Sequence, residues 1–313
     1  MKIGILGTGI GTYHIELYQL FDEVEEIKIC GRNEDKLQDI YKKYNVQTTT
    51  NINDILKDDT IDLVDICLPS TLHKDYIIKA LQNDKHVFCE TPLTSSMEDI
   101  IAIKEAQNKY QKNVFINLFI KFSEAHQILQ KAIKNNSYGK LKSLYLTRKT
   151  PAIWGDLGLN HIATQLMLHE VDFITECLGL PTKIKARGFS SKEETAYVLA
   201  ELEYNQLVVE LKGISMMPDY YPFLVSFEAV FENGVLEYSD KDTISGEEMS
   251  LIEYTNNHKK EIELSSDTSF EKTFQYVIEN YNKIGNHKLS VDDASKTLNI
   301  TLAIQKQLIK TSV

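Results

Sequence analysis

A glycine-rich turn after the first apolar run constrains the fold of this chain more than any other feature. The segment Gly7-Thr8-Gly9-Ile10-Gly11 follows the apolar residues 3–6 and opens a helix-period segment. Such glycines let the backbone turn tightly and approach a pyrophosphate, which the free amides and dipole of the following helix stabilise. The GxGxG spacing is one residue short of the common GxGxxG, and a purely steric turn would also use glycine.

The residues that follow place this turn in a βαβ series. Up to residue 118, apolar runs alternate with helix-period segments, which predicts parallel strands joined by crossover helices. Beyond it, strand-like segments dominate, with helices near 123–135, 160–178 and 292–310, which predicts an antiparallel or mixed sheet in an α+β domain. We therefore expect an α/β fold with a dinucleotide-binding Rossmann domain at 1–118 and an α+β substrate-binding and oligomerisation domain at 119–313.

The charge of the chain excludes some classes of binding partner. Lys and Arg number 34 against 45 Asp and Glu, a formal net charge of −11. This charge repels nucleic acid and anionic membranes, so neither is an expected partner. The chain shows no signal-peptide pattern and no run as long as a membrane span, which predicts a cytoplasmic protein.

The cysteines predict neither zinc binding nor disulfides. They stand singly, without the paired spacing of a zinc site, and we expect buried, reduced thiols. A catalytic thiol is the alternative, and Cys89, beside Glu90, is the one position suited to it. The four are Cys30, Cys67, Cys89 and Cys177.

The end of the second predicted strand bears on cofactor choice. An acid there normally binds the ribose hydroxyls of NAD(H), whereas a small residue followed by arginine accommodates the 2′-phosphate of NADP(H). This chain has Cys30-Gly31-Arg32-Asn33. NADP(H) is therefore favoured, with NAD(H) possible, and Arg32 is expected to contact the phosphate. A solvated surface arginine is the alternative.

Four segments of the chain match one family in order and spacing. They are Gly7-Thr8-Gly9-Ile10-Gly11-Thr12-Tyr13-His14, Leu68-Pro69-Ser70-Thr71-Leu72-His73, Cys89-Glu90-Thr91-Pro92-Leu93 and His169-Glu170-Val171-Asp172. Together they resemble the glucose-fructose oxidoreductase/inositol dehydrogenase/MocA family over essentially the whole chain. This resemblance implies a Rossmann domain followed by a domain built on a large open, mostly antiparallel sheet, with cofactor and substrate meeting at the seam. It also implies action on a hydroxyl or carbonyl of sugars or cyclitols, and homodimers or homotetramers formed through the sheet.

The resemblance also assigns cofactor contacts, with Glu90 at the nicotinamide end. An ordinary Pro-Ser turn and a capped helix would use the same letters at residues 69–73. The residues expected to bind the cofactor are Gly7, Thr8, Gly9, Ile10, Gly11, Arg32, Leu68, Pro69, Ser70, His73, Glu90 and Thr91.

The chain departs from the family at two catalytic positions. The usual Glu-Lys-Pro is Glu90-Thr91-Pro92, and Gln165 replaces the aspartate four residues before the histidine. Thr91 can donate a hydrogen bond but carries no charge. His169 therefore stands as the expected proton donor or acceptor, and Asp172 is expected to orient its imidazole or to bind substrate.

One predicted helix, at about 160–178, carries His161, Gln165, His169 and Asp172 at spacings of four, four and three. We interpret this polar stripe on an otherwise apolar segment as the lining of a cleft. His169 and Asp172 could share an ion, but no third strong ligand lies at suitable spacing, so no metal is expected.

Basic and aromatic residues supply further candidates for substrate binding. Lys121 or Arg148 could neutralise an alkoxide or bind an anionic group, and Lys121 is the better candidate. Trp154 could stack on a sugar ring. Surface or core roles explain all three equally well.

The leading hypothesis is an NAD(P)-dependent dehydrogenase or reductase of a sugar-like or cyclitol-like alcohol or carbonyl. Since the family's lysine and aspartate are replaced, reduction of an imine or conjugated double bond is an alternative within the enzyme class. A non-catalytic, dinucleotide-binding regulatory protein of the same fold is the alternative outside it.

Overall fold

The computed structural model describes residues 1–152, 155–243 and 246–311. Residues 1–119 form alternating strands and helices. The strands are β1 (Lys2–Leu6), β2 (Glu26–Cys30), β3 (Gln47–Thr49), β4 (Leu63–Ile66), β5 (His86–Cys89) and β6 (Val114–Ile116), and the helices are α1 (Gly11–Tyr18), α2 (Glu34–Tyr44), α3 (Asn53–Leu56), α4 (His73–Gln82) and α5 (Met97–Tyr110).

The six strands form one parallel sheet in the order β3-β2-β1-β4-β5-β6. Its central strands are apolar because both faces are covered; Ile3, Ile5, Leu63 and Ile66 are fully buried. The strand order reverses between β1 and β4, which is where a doubly wound sheet binds nucleotides. The predicted parallel sheet is confirmed.

The remaining elements build a second sheet and its helices. They are α6 (Glu124–Asn135), β7 (Leu141–Pro151), α7 (Ile162–Gln165), α8 (Leu168–Leu178), β8 (Lys183–Lys192), β9 (Thr195–Tyr204), β10 (Leu207–Met217), β11 (Phe223–Phe231), β12 (Gly234–Thr243), β13 (Gly246–Thr255), β14 (Lys259–Glu261), α9 (Ser269–Asn280) and α10 (Val291–Thr311). No helix among the described residues combines the length and apolarity needed to cross a membrane.

The second sheet has the order β14-β13-β12-β11-β7-β10-β9-β8. Every neighbouring pair is antiparallel except β7 and β10. Alternate residues of β7 lie in the core: Leu144, Leu146 and Arg148 are buried, whereas Tyr145 between them is exposed. The large, mostly antiparallel sheet is confirmed.

The chain divides into two compact units, and one segment differs from the predicted division at 118/119. The first unit comprises Met1–Phe119 and Asp267–Ser295, and the second comprises Ile120–Ser266 and the residues from Lys296 onward. Helix α9 belongs to the first unit because Phe274, fully buried, packs against His14 and Tyr18 with ring centroids 4.8 and 4.7 Å apart.

The single helix predicted at about 160–178 is wrong. The segment forms α7 and α8, with Leu166 and Met167 between them. The Met167 amide donates to the Ile162 carbonyl five residues earlier, a bond that interrupts the regular helical pattern. His161 precedes α7 and Gln165 ends it, so they do not share a helical stripe with His169 and Asp172.

Candidate functional site

Three strand ends meet at the predicted glycine turn. The Gly7 amide donates to the Cys30 carbonyl at the end of β2. A Cβ on Gly7 would lie 2.4 Å from the Cys67 carbonyl oxygen, beyond the end of β4, and its φ of +111° suits glycine alone. The turn is therefore clamped between β2 and β4, where the strand order reverses.

The next glycine stands in open space. A Cβ on Gly9 would meet no atom within 4 Å. Helix α1 begins two residues later, and its N-cap residue, Ile10, offers no side-chain hydrogen bond to the first-turn amides. Open space beside uncapped amides fits the pyrophosphate of a dinucleotide, so Gly7 to Gly11 could hold such a cofactor.

Alanine at the two glycines is expected to separate folding from binding. Gly7→Ala should lower the free energy of unfolding by about 2–4 kcal/mol, because it adds both strain at positive φ and a backbone clash. Gly9→Ala should keep that stability or raise it by about 0.4–1 kcal/mol. It should nevertheless weaken dinucleotide binding by at least about tenfold, since its methyl group fills the open space.

Urea denaturation and fluorescence titration with NADPH check this pair of variants. Each serves as the control for the other, because the same methyl group is added two residues apart. Equal stability of the two variants would contradict the steric argument, and wild-type affinity in Gly9→Ala would place the pyrophosphate elsewhere.

Arg32 follows β2 beside this turn. A Cβ on Gly31 would lie 2.5 Å from Cγ2 of Thr8, so the end of β2 touches the glycine turn. Arg32 itself is exposed. The Asn33 side chain accepts from the Lys36 amide and caps α2. This cap fixes the backbone that carries Arg32.

The segment from Leu68 to His73 forms a turn and a 3-10 helix, Ser70–Leu72, before α4. Pro69 is exposed, and Leu68 and Ser70 are half-buried. Ser70 does not cap α4, because the 3-10 helix displaces the start of α4 to His73. The His73 ring is 1% exposed and lies with Nε2 2.7 Å from the Leu68 carbonyl and Nδ1 3.2 Å from the Leu93 carbonyl. The buried ring of His73 therefore helps to hold the backbone of Leu68 in place.

Glu90 follows β5 and accepts hydrogen bonds from two donors. Its Oε1 accepts from Nδ2 of Asn117 and lies 3.0 Å from Nε2 of His14, and its Oε2 accepts from the Thr91 amide at 3.1 Å. Burial opposes ionisation, but the interactions with His14, Asn117 and Thr91 outweigh it and lower the pKa of Glu90. Glu90 is therefore a carboxylate at neutral pH.

His14 is a buried histidine for which the sequence predicted no role. It is fully buried, and its Nδ1 lies 2.8 Å from Oδ2 of Asp65, which is also fully buried. Burial alone would lower the pKa of His14, but Asp65 and Cys67 raise it well above its ordinary value. A signal was present in the sequence: polar residues interrupt both the apolar face of α1 and the apolar strand β4.

Cys67 belongs to the same network. His14, Asp65 and Cys67 place their polar atoms within 4.8 Å of one another, the one such group among the described residues. Their pairwise distances of 2.8, 3.2 and 3.4 Å are those of hydrogen bonds. Burial raises the pKa of the Cys67 thiol, which makes it a poor metal ligand.

Cys89 is fully buried, and burial raises its pKa well above the ordinary value. An inert core thiol explains these properties, and they do not support the catalytic alternative.

In the second unit the structure brings Lys121 and Asp172 together. The Lys121 ammonium, 4% exposed, lies 3.8 Å from Oδ1 of Asp172 and 3.6 Å from Oε2 of Glu176. Oδ1 of Asp172 also accepts from the hydroxyl of Thr297 on α10. The predicted surface alternative for Lys121 is wrong, because its charge is buried against carboxylates.

His169 lies in the first turn of α8 and is half-buried. Burial and then the charge of Arg148 lower its pKa well below the ordinary value, so the imidazole is neutral at neutral pH. Gln165, at the end of α7, is also half-buried. Trp154 lies outside the described residues.

Arg148 is not a surface residue. Its Nε and Nη2 lie 2.8 and 2.7 Å from Oε1 of Glu170, which is fully buried. The guanidinium also lies over the Phe223 ring, 5.4 Å from its centroid. The positive charge of Arg148 is therefore balanced in the core by the Glu170 carboxylate.

Curated relatives resemble part of the chain. A myo-inositol 2-dehydrogenase from Thermotoga maritima is 29% identical over 154 residues, covering 49% of this chain and 46% of the relative. A glucose-6-phosphate 3-dehydrogenase from Bacillus subtilis is 24% identical over 227 residues, covering 66% and 64%. The match therefore spans less than two thirds of either relative.

Solved structures share the fold across the chain. A 3-ketoreductase from Actinomadura kijaniata in complex with NADP has a TM-score of 0.82 at 14% identity, covering 98% of this chain and 97% of that one. A UDP-N-acetylglucosamine 3-dehydrogenase from Acidithiobacillus ferrooxidans has a TM-score of 0.80 at 16% identity, covering 98% and 97%.

The family assignment rests on the first domain. The model of an oxidoreductase family with an NAD-binding Rossmann fold matches residues 1–118, which include the glycine turn and the Glu90 network. Together with the similarity to inositol and sugar dehydrogenases, this match shows that residues 1–118 are similar to the NAD-binding Rossmann domain of that oxidoreductase family.

Proposed function

We propose that this protein is an NADP(H)-preferring oxidoreductase that acts on a hydroxyl or carbonyl of a sugar-like or cyclitol-like molecule. The observation that carries the proposal is the clamped glycine turn, whose open space at Gly9 adjoins uncapped helix amides. The names of the relatives, which are inositol and sugar dehydrogenases, support the substrate class. When bound, the nicotinamide accepts or supplies the hydride.

The protein's own part in this reaction is to position the substrate and to move a proton. His169 is neutral, so it can accept the hydroxyl proton during oxidation. In the reduction direction it would first take up a proton from solvent, and the imidazolium would then give that proton to the alkoxide. The positive charge of Lys121 is already balanced by Asp172 and Glu176, so we assign this trio to substrate binding rather than to proton transfer. Thr91 can add a hydrogen bond from its hydroxyl.

The preference for NADP(H) is assigned to Arg32. Its guanidinium is exposed beside the glycine turn, and residues 30–33 contain no acid to bind a ribose hydroxyl. We expect Arg32→Ala to weaken NADPH binding by about 10–100-fold, the loss of a hydrogen bond between charged groups, and to change NADH binding by less than about twofold. Fluorescence titration with both cofactors measures this difference.

Lys42→Ala is the control for Arg32→Ala. Lys42 is also an exposed cation, with a side chain 71% exposed, but it lies at the far end of α2 from Arg32. It should leave both affinities unchanged. Tighter binding of NADH than of NADPH by the wild type would contradict the assignment.

Turnover tests the reaction itself. Wild-type protein is assayed with NADP⁺ on a panel of cyclitols and sugars, and with NADPH on keto sugars, aldehydes and imines. Turnover of a cyclitol or sugar supports the proposal. Cofactor binding without turnover on any of these would favour the regulatory alternative. A homodimeric or homotetrameric state and a cytoplasmic location belong to the same proposal.

A further inference from the structure

Glu90 belongs to a cluster of ionisable side chains with His14 and Asp65. His14 lies between two carboxylates, with Nδ1 2.8 Å from Asp65 and Nε2 3.0 Å from Glu90. A neutral imidazole has a single N–H and could donate to one of them only. An imidazolium carries a proton on both ring nitrogens and so matches both carboxylates: Nδ1 hydrogen-bonds to Asp65, and Nε2 forms an ion pair with Glu90.

The groups that face His14 account for its charge. Besides the two carboxylates, the thiol of Cys67 lies 3.2 Å from Nδ1, and the phenol of Tyr18 is fully buried near Asp65. The rings of Phe88 and Phe274 pack against the imidazole. Two carboxylates and one imidazolium leave one negative charge in a site otherwise closed to water.

That charge reaches the surface at Glu90. The side chains of His14 and Asp65 are 0% exposed, whereas that of Glu90 is 17% exposed. Its neighbour Thr91 is half-buried. The fixed charge is therefore presented at the end of β5, where the family resemblance predicts the nicotinamide end of the cofactor.

We propose that His14 is a positioning residue which holds Glu90 as a fixed carboxylate, and that this carboxylate makes the site bind the oxidised cofactor in preference to the reduced one. The inference rests on the proposed function. Its physical basis is that the oxidised nicotinamide ring carries a positive charge and the reduced ring carries none, so a nearby fixed anion stabilises the oxidised form selectively.

The first test uses the cofactor-free protein. Nitrogen-15 NMR of the histidine rings reports whether each nitrogen carries a proton. We expect both nitrogens of His14 to stay protonated from pH 6 to pH 9. His86 provides the contrast within the same unit, since it is buried, accepts from the Asn113 amide and has a pKa lowered to about 4 by burial and the charge of Lys112. A neutral His14 across this range would overturn the proposal.

The second test measures dissociation constants for NADP⁺ and NADPH by titration. Glu90→Gln keeps the shape of the side chain and removes its charge. It should reduce the preference for NADP⁺ over NADPH by about tenfold, the order expected of one charge at close range in a partly shielded site. His86→Gln is the matched control, a buried histidine replaced in the same domain, and should leave the ratio unchanged.

The pH dependence separates a positioning role from a structural one. In the wild type the ratio of the two constants should be flat from pH 6 to pH 9, because Glu90 stays ionised. His14→Gln removes the cation, so the pKa of Glu90 rises. The preference for NADP⁺ should then be lost at low pH and return as pH rises through the new pKa. His14→Lys, which restores a positive charge, should flatten the profile again.

The results of these tests separate a failure of the Glu90 proposal from a failure of the proposed function. Tight binding of both cofactors with an unchanged ratio in Glu90→Gln overturns the inference alone, and that variant suffices even if His14→Gln does not fold. Folded wild-type protein that binds neither form overturns the proposed function and this inference with it. A reduced ratio in Glu90→Gln, together with a doubly protonated His14, supports both.

Discussion

A His169→Asn variant is expected to lose about 10²–10⁴-fold in turnover, the usual contribution of a general acid or base. Asparagine keeps a polar side chain of similar size but cannot accept the substrate proton. The fold should survive, because His169 is half-buried at the start of α8 and not part of the closed core. The measurement is kcat for NADP⁺ reduction with the best substrate found in the panel.

His161→Asn is the matched control for this variant. His161 precedes α7, and its exposed ring lies 3.4 Å from Asp156. Turnover should stay within about twofold of wild type, because an exposed polar contact contributes little. Equal losses in the two variants would point to a general effect on the second unit.

The pH profile follows from the lowered pKa of His169. A base accepts a proton only when it is neutral, so alcohol oxidation needs a pH above that pKa. Because the pKa lies well below its ordinary value of 6.5, kcat should hold constant from pH 8 down to pH 6.5. A fall with a midpoint near 6.5 would assign an ordinary, solvated histidine to the reaction.

Glu170→Ala is expected to lower the free energy of unfolding of the second unit by about 3–5 kcal/mol. The reason is that Arg148, 4% exposed, would keep its positive charge in the core without the carboxylate that now accepts from its Nε and lies 2.7 Å from its Nη2. Phe223 would remain as its neighbour but cannot replace an anion. Urea denaturation of wild type and variant gives the difference.

A double variant separates the cost of an unpaired charge from the value of the pair. Arg148→Met with Glu170→Leu fills the same space with apolar groups and should recover most of the lost stability. Glu228→Ala, an exposed change on β11, should stay within about 0.5 kcal/mol. A loss below about 1 kcal/mol in Glu170→Ala would mean that water reaches Arg148.

Local periodicity predicted most of the first unit. The apolar runs and helix-period segments of residues 1–118 correspond to β1, β2, β4, β5, β6, α1, α2, α4 and α5, because each of these contains a run long enough to show its period. The short β3 and α3 were missed for the opposite reason. Helix α9 was missed although Thr268 and Glu271 form a capping box, the ordinary signal of a helix start.

Contacts distant in sequence could not be predicted in the same way. His14 meets Asp65 across 51 residues, and Arg148 meets Glu170 across 22. Periodicity reports which face of an element is apolar and gives no partner for a buried charge. The roles predicted for His169 and Thr91 came from the family resemblance, whereas that of the glycine turn came from its place in the βαβ series. All of these roles stay predictions.

The first unit is built from two segments that are far apart in the chain, and this affects the order in which its parts can fold during synthesis. During synthesis the chain leaves the ribosome from its amino terminus, so β1 to β6 emerge long before the 267–295 segment that supplies Phe274. Until that segment arrives, Phe274 does not yet cover His14, and the pair with Asp65 is open to water on that side. The first unit therefore begins to form first and is completed nearly last.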